Sequence, residues 1–215
     1  MQWVPNTSGF RNEVARAYAA LGYHNPMQLT RLKRDEFESL QNEDMDDADR
    51  AGWYREKILP SFPACFHQYY TQAFADPTAW FEARCAFTRS AAVWSMVGHL
   101  VGLGDRHGEN ILIDRTSGEC VHVDMDCLFD KALNLGRPEI VPFRLTPNML
   151  DAMGLCGYEG IFRHVSEVTM RLLRGQRDMM LSVLESFIHD PLVEWAAKAR
   201  SATVAAAGAL ADPVS

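Results

Sequence analysis

Apolar positions along the chain follow two spacings, and together they predict a mostly helical body interrupted by one short hairpin. From Asn12 to Leu21 apolar residues recur at helical intervals, and the run stops at Gly22, a common helix terminator. Residues 24–50 are polar and end in the acidic run Glu43-Asp44-Met45-Asp46-Asp47-Ala48-Asp49. A calcium loop would need glycine at its sixth position, and counting from Asp44 that position is Asp49. The run therefore reads as a solvated acidic segment. Trp53 to Phe74 is aromatic-rich and reads as helix in two pieces, broken by Pro60 and Pro63.

Asp76-Pro77-Thr78 opens a long helix, with Asp76 as N-cap and proline in the first turn, and it runs to the glycines at 98–102. Two short apolar runs, Asn110 to Ile113 and Cys120 to Val123, are joined by Asp114-Arg115-Thr116-Ser117-Gly118-Glu119, which predicts a hairpin. An irregular, proline-punctuated loop is expected from Cys127 to Asn148. Ile161, Val165, Val168 and Leu172 then step by four, three and four, giving a helix that Gly175 ends. Met180, Leu184, Phe187 and Ile188 mark another helix, closing at Asp190-Pro191. Both stripes are expected to face a core. From Ala196 the chain is Ala-rich and weakly patterned, which predicts a poorly ordered tail. The fold class expected is α+β, mostly α, with one small sheet.

Composition narrows the classes of function. The chain has 215 residues, 47% hydrophobic and 23% charged, enough to bury a core as one domain. Its net charge of −7 offers no basic field for nucleic acid, so no direct nucleic-acid binding is expected of it. The five cysteines form an odd count without a C-x-x-C pair, which favours a reducing compartment over a disulfide framework. The longest apolar-leaning stretch, 90–103, is shorter than the roughly 20 residues of a membrane span, and no secretory leader pattern opens the chain. An intracellular, soluble protein without membrane contact is the expectation.

The chemistry concentrates in Gly102-Leu103-Gly104-Asp105-Arg106-His107-Gly108-Glu109-Asn110-Ile111-Leu112 and in Val121-His122-Val123-Asp124. Phosphoryl transfer requires an acceptor hydroxyl held in line and hard oxygen ligands for Mg²⁺. Asp105 and Asn110 stand at D-x-x-x-x-N spacing, and the hairpin would bring Asn110 and Asp124 together beside Asp105. Taken singly, an Asp in a Gly-rich loop is usually a turn former and an Asn before a strand a cap. The combination is what suggests a metal–nucleotide site. A zinc site from Cys120, His122, Cys127 and His107 is the other arrangement considered, though it lacks the paired close spacing of structural zinc sites.

These motifs resemble the catalytic and metal-binding loops of the phosphoinositide 3-kinase-related protein kinases, in which D-R-H reverses the H-R-D of conventional protein kinases. The stretches G-E-C-V-H-V-D-M-D-C-L-F, P-E-I-V-P-F-R-L-T-P-N-M and H-D-P-L-V-E-W resemble the ATR-type checkpoint branch of that family. The resemblance covers roughly Trp3 to Trp195. It implies that Asp105 is the catalytic aspartate, that His107 contacts the transferring phosphate, and that Asn110 and Asp124 hold Mg²⁺. It further implies a hinge at Trp3-Val4-Pro5, with Trp3 and Val4 against the adenine of ATP and Leu112 and Val123 as the apolar floor beneath it. Residues 1–195 would then be the hinge and C-terminal lobe of a kinase-like catalytic domain, and 196–215 a tail.

Two departures from the family pattern stand out. Asp126 occupies the place of the glycine in Asp-Phe-Gly, limiting backbone freedom there and disfavouring an inactive flip of the loop. No residues resemble the N-terminal lobe with its phosphate-covering loop and lysine, so the chain alone is expected to have little or no kinase activity. The resemblance implies Ser or Thr of protein substrates, preferably followed by Gln, a regulatory partner subunit of the ATR-interacting type, and DNA-damage signalling in the nucleus. A phosphoinositide substrate is the first alternative. Against it, residues 127–148 carry Lys131, Arg137 and Arg144 opposite Asp130 and Glu139, a net of three minus two, too sparse for an anionic head group. A non-catalytic pseudokinase or interaction module is the second.

Overall fold

In the computed structural model the described residues are 4–39, 45–129, 131–135 and 141–188. The chain divides into two compact units, Met1–Thr169 and Met170–Ser215. Strand β1 (Thr7–Gly9) leads into α1 (Phe10–Ala20), followed by α2 (Pro26–Leu32), α3 (Arg34–Ser39) and α4 (Asp47–Trp53). A π turn (Tyr54–Ile58) and a 3₁₀ turn (Leu59–Ser61) precede α5 (His67–Ala73) and the long α6 (Pro77–Leu100). Strands β2 (Ile111–Asp114) and β3 (Cys120–His122) form the hairpin, and α7 (Pro147–Ala152) and α8 (Ile161–Gly175) follow. In the second unit the described residues form the end of α8 and α9 (Arg177–Ile188).

α6 begins as its sequence dictates. The Asp76 carboxylate accepts the Ala79 amide at 2.9 Å, and Pro77 occupies the first turn. Its buried positions are mostly small, Ala83, Ala91, Ala92, Ser95 and Gly98, so the hairpin can approach closely. Ser90 Oγ accepts the Cys120 amide at 2.9 Å, tying β3 to the helix. Gly118 in the hairpin turn has φ +78°, and a Cβ there would lie 2.8 Å from the Cβ of Ala83. Only glycine meets both demands.

The core of the first unit lies between α1, α5, α6 and the sheet. Phe66, Phe87, Ile111 and Ile113 are fully buried, and the Phe66 ring meets Phe10 edge-on at 4.9 Å. Tyr70 is buried beside them, its hydroxyl donating to the Gly118 carbonyl at 2.9 Å. α7 is fastened to the start of α5. Asn148 Oδ1 accepts the Cys65 amide at 2.9 Å, and the Asp151 carboxylate meets the His67 amide at 2.8 Å.

The expected hairpin is present, and the sheet is larger than expected. β1 pairs antiparallel with β2 in the register Thr7↔Asp114, Ser8↔Ile113 and Gly9↔Leu112, giving the strand order β1-β2-β3. The polar stretch 24–50 is also more structured than its pattern suggests. Asn25 caps α2 by accepting the Met27 amide at 2.9 Å, and Asp46 caps α4 by accepting the Asp49 amide at 2.8 Å. Part of the acidic run thus serves a helix start, where the dipole favours carboxylates.

The stripe on α8 faces the core only in part. Val165 is half-buried and packs against the core, whereas Ile161, Val168 and Leu172 are 39%, 42% and 64% exposed; Phe162, beside the stripe, is buried and lies 6.2 Å from the Phe143 ring. The inward face of α8 is thus formed by Phe162 and Val165, with the rest of the aliphatic stripe at the surface. Among the described residues no helix is long and apolar enough to cross a membrane. Trp3, the acidic residues 43–44, the closure at Asp190-Pro191, Trp195 and the Ala-rich tail lie outside the described residues.

Candidate active site

The loop between α6 and β2 is held at both ends. The Leu103 amide donates to the Gly98 carbonyl at 2.8 Å, closing the end of α6. The Gly104 amide donates to the Cys127 carbonyl at 2.7 Å, and a Cβ on Gly104 would stand 2.1 Å from that of Ala132. This glycine is required by close approach to the segment after β3. At the other end, the Arg11 amide donates to the Gly108 carbonyl at 2.8 Å, and the Arg11 guanidinium pairs with Glu109 at 3.0 Å.

Between these anchors the polar residues converge. Asp105 has φ +56°, a left-handed conformation that Asp tolerates better than most side chains. Asn110 is buried, and its Nδ2 donates to the Asp105 carbonyl at 2.9 Å, which turns the amide oxygen away from that carbonyl. His107 Nδ1 accepts the Glu109 amide at 3.2 Å, so the neutral ring carries its proton on Nε2. That nitrogen lies 3.9 Å from Asp105 Oδ2.

The hairpin brings in Asp124. The Val123 amide donates to the Asn110 carbonyl at 3.0 Å, placing Asp124 next to Asn110. Asp124 also has a left-handed backbone, φ +61°, and its Oδ1 accepts the Asp126 amide at 3.3 Å. Asp126 itself is not left-handed, so its conformation makes no demand for the glycine of Asp-Phe-Gly. The Asn110 amide oxygen and the Asp124 carboxylate are hard donors that suit Mg²⁺, which commonly takes one or two protein oxygens and fills its shell with phosphates and water. Among the described residues no three His, Cys, Asp or Glu side chains gather into a metal site, so the zinc arrangement is not formed.

The sheet face opposite the core is also apolar. Ile111 and Ile113 point into the core, which puts Leu112 on the other face, paired in register with Val121. Val123, two residues beyond Val121, shares that face, and both valines and Leu112 are half-buried. Val4 is half-buried, and its carbonyl accepts Thr7 Oγ1 at 3.0 Å. The Asn6 carbonyl accepts the Arg115 amide at 2.9 Å, so the segment around Val4 adjoins the Asp114 end of β2. Val121 was not among the residues expected at this face. Alternation within the hairpin could have identified it.

Two further residues make contacts the sequence did not predict: Arg106, and His122, considered only as a zinc ligand. Arg106 is buried, and its Nε and Nη1 donate to the Gly104 and Val123 carbonyls at 2.9 and 2.8 Å. Its Nη2 donates to the Asp124 carbonyl. These last acceptors lie 17 and 18 residues away, a distance no local motif reveals. His122 stacks on Trp94 of α6 at 5.0 Å and 12°. Burial, reinforced by the Arg106 charge, pushes its pKa down to about 4, so the ring is neutral at neutral pH. A cavity of about 340 Å³ lies among Phe10, Val14, Ile58, Phe62 and Pro147. It reaches this loop at Gly108 and is lined by none of Asp105, His107, Asn110 or Asp124.

The chain matches known proteins along most of its length. The family model for phosphatidylinositol 3- and 4-kinase matches residues 1–197. The chain is 48% identical over 205 residues to the serine/threonine-protein kinase ATR of Arabidopsis thaliana, covering 95% of this chain. It is 47% identical over 201 residues to protein kinase rad3 of Schizosaccharomyces pombe, covering 94% of this chain. It spans only 7% and 8% of the lengths of those two relatives. Among solved structures, the FAT and kinase domain of CtTel1 superposes with a TM-score of 0.78 at 35% identity, over 90% of this chain and 13% of that one. Loops, sheet and sequence agree: the chain belongs to the phosphatidylinositol 3- and 4-kinase family.

Proposed function

We propose that this chain is the hinge and C-terminal lobe of an ATR-like serine/threonine protein kinase, transferring the γ-phosphate of ATP to Ser or Thr of protein substrates, preferably before Gln. The observation that carries the reading is the joining of two loops at one end of the hairpin. Asn110 holds the Asp105 carbonyl, while Arg106 holds the carbonyls of Val123 and Asp124. The names of the matched relatives, serine/threonine-protein kinase ATR and protein kinase rad3, support a protein substrate.

In this reading Asp105 orients the acceptor hydroxyl and takes its proton as the hydroxyl attacks. His107, with its proton on Nε2 near Asp105, donates to an oxygen of the transferring phosphate. Asn110 and Asp124 would hold Mg²⁺, which when bound neutralises charge on the phosphate oxygens. Leu112 and Val123 support the adenine from the sheet face, the Val4 backbone hydrogen-bonds its edge, and the ring of Trp3, which lies outside the described residues, is the one proposed against it. From Asn110 to Asp114 the strand rises about 13 Å at roughly 3.3 Å per residue, separating a phosphate end from a base end. The relatives' names also support a place in checkpoint signalling. From the family resemblance we further propose a nuclear protein that acts with a regulatory partner subunit of the ATR-interacting type; the net charge of −7 speaks against direct nucleic-acid contact through this segment.

The test is phosphotransfer from Mg-ATP by the chain co-expressed with the N-terminal kinase lobe of its Arabidopsis relative. Peptides containing Ser-Gln should be phosphorylated, phosphoinositide vesicles should not, and Asp105→Ala should abolish the transfer. Phosphorylation of the vesicles alone would establish the lipid-kinase alternative. Mg-ATP producing neither turnover nor a thermal shift would establish the pseudokinase.

A further inference from the structure

The Arg106 guanidinium lies between the two loops that carry the proposed chemistry, and the three bonds described all end on backbone carbonyls. One carbonyl, Gly104, precedes Asp105; the other two belong to Val123 and to Asp124 itself. A planar fork with five donors can reach three carbonyls at once, whereas a lysine ammonium concentrates its donors on one atom. The side chain is 5% exposed, so solvent competes little for these bonds.

Both residues that this clamp flanks have the left-handed conformation, φ +56° at Asp105 and φ +61° at Asp124. Asp tolerates that conformation better than most side chains but still at a cost, so contacts that hold it are favourable. At Asp124 those contacts are the Arg106 bond to its carbonyl and the Asp126 amide bonded to its Oδ1. The direction of the Asp124 carboxylate is therefore set through its peptide group.

We infer that Arg106 is a positioning residue that fixes the Asp124 carboxylate relative to the Asp105–Asn110 loop by holding the Val123 and Asp124 carbonyls. The inference rests on the kinase reading for its functional consequence, and its structural content can be tested without it. Arg106→Lys retains charge and length and loses the fork.

Hydrogen exchange on the 215-residue chain, without nucleotide or metal, is the first measurement. Amides of residues 124–128 should exchange at least tenfold faster in Arg106→Lys, while those of Ile111, Ile113 and Cys120 keep their rates. Unchanged exchange at 124–128, or a uniform rise across the sheet, would overturn the inference. The second measurement is a Mg²⁺ titration of phosphotransfer in the lobe-complemented assay. Arg106→Lys should raise the Mg²⁺ concentration for half-maximal rate at least tenfold and lower kcat, leaving KM for the peptide unchanged. An unaltered Mg²⁺ dependence, or a loss confined to KM for the peptide, would again overturn it. If the wild-type pair transfers no phosphate, or Asp105→Ala retains transfer, the kinase reading fails and the exchange result still decides the role of Arg106.

Discussion

The side-chain amide of Asn110 donates to the backbone carbonyl of Asp105 at 2.9 Å, so one side chain both steadies the aspartate and turns its own oxygen outward. Asn110→Asp removes the donor and confronts the carbonyl with a carboxylate. Losing a buried partner of this kind costs about 1–3 kcal/mol. Phosphotransfer in the complemented assay should fall on the order of 100-fold, comparable to removing one preorganised donor from an active site. A variant within threefold of wild-type turnover would show that this contact does not organise the site.

His122 should give the protein a marked acid dependence of stability. Its folded pKa is about 4 against an ordinary 6.5, so between those values the unfolded chain binds a proton that the folded chain does not. Stability is complete above pH 6.5 and is lost as pH falls toward 4. The difference of 2.5 units sets an upper bound of about 3 kcal/mol. His122→Phe retains the stack on Trp94 and removes the titration. Urea unfolding at pH 7 and pH 4.5 should show a smaller loss for the variant. Equal losses would mean that His122 is not held neutral.

At the hairpin turn, two effects can be separated. Gly118→Ala places a methyl 2.8 Å from the Ala83 Cβ in a backbone with φ +78°. Combined strain and overpacking should lower stability by about 2–4 kcal/mol. Adding Ala83→Gly relieves part of the clash and leaves the backbone strain. In a double-mutant cycle followed by thermal melting, the two changes should therefore show favourable coupling. Strict additivity would contradict the close approach of turn and helix.

The cysteines should differ sharply in reactivity. Burial pushes the Cys65 and Cys120 thiols up to about 11 and about 12, and both side chains are enclosed, whereas Cys156 is exposed. Iodoacetamide at pH 8 should label Cys156 rapidly and leave Cys65 and Cys120 unmodified until the protein unfolds. Mass spectrometry of the peptides distinguishes the sites. Early labelling of Cys120 would mean that β3 detaches readily from α6.

How much of this was readable from the residues depended on the reach of each interaction. The α6 start at Asp76-Pro77 and the β2–β3 hairpin were legible because caps, turn residues and short apolar runs are local signals. β1 was not: three residues, Thr-Ser-Gly, carry no alternation, and the strand exists because β2 offers it an edge. The partial exposure of the α8 stripe was equally hidden: the spacing does not tell that Phe162 and Val165 pack inward while Ile161, Val168 and Leu172 stay at the surface. Within the candidate site, spacing brought Asp105 and Asn110 into view and the hairpin added Asp124, whereas His107 came from the family resemblance alone. The bonds of Arg106 to carbonyls 17 and 18 residues away, and the stacking of His122 on Trp94, arise only when the chain closes on itself.

β2 is four residues long and has a neighbour on each side, β1 at its one edge and β3 at the other. Its length is consequently a ruler. Inserting one residue between Asn110 and Asp114 would swap the faces of every side chain beyond it, driving Leu112 toward the core and Ile113 out of it. It would also lengthen the separation of the two ends by about 3.3 Å. Single substitutions on this strand can be absorbed by repacking, whereas an insertion or deletion has no compensating move because both flanking strands hold the frame. Variation in this segment should therefore take the form of exchanged side chains at constant length.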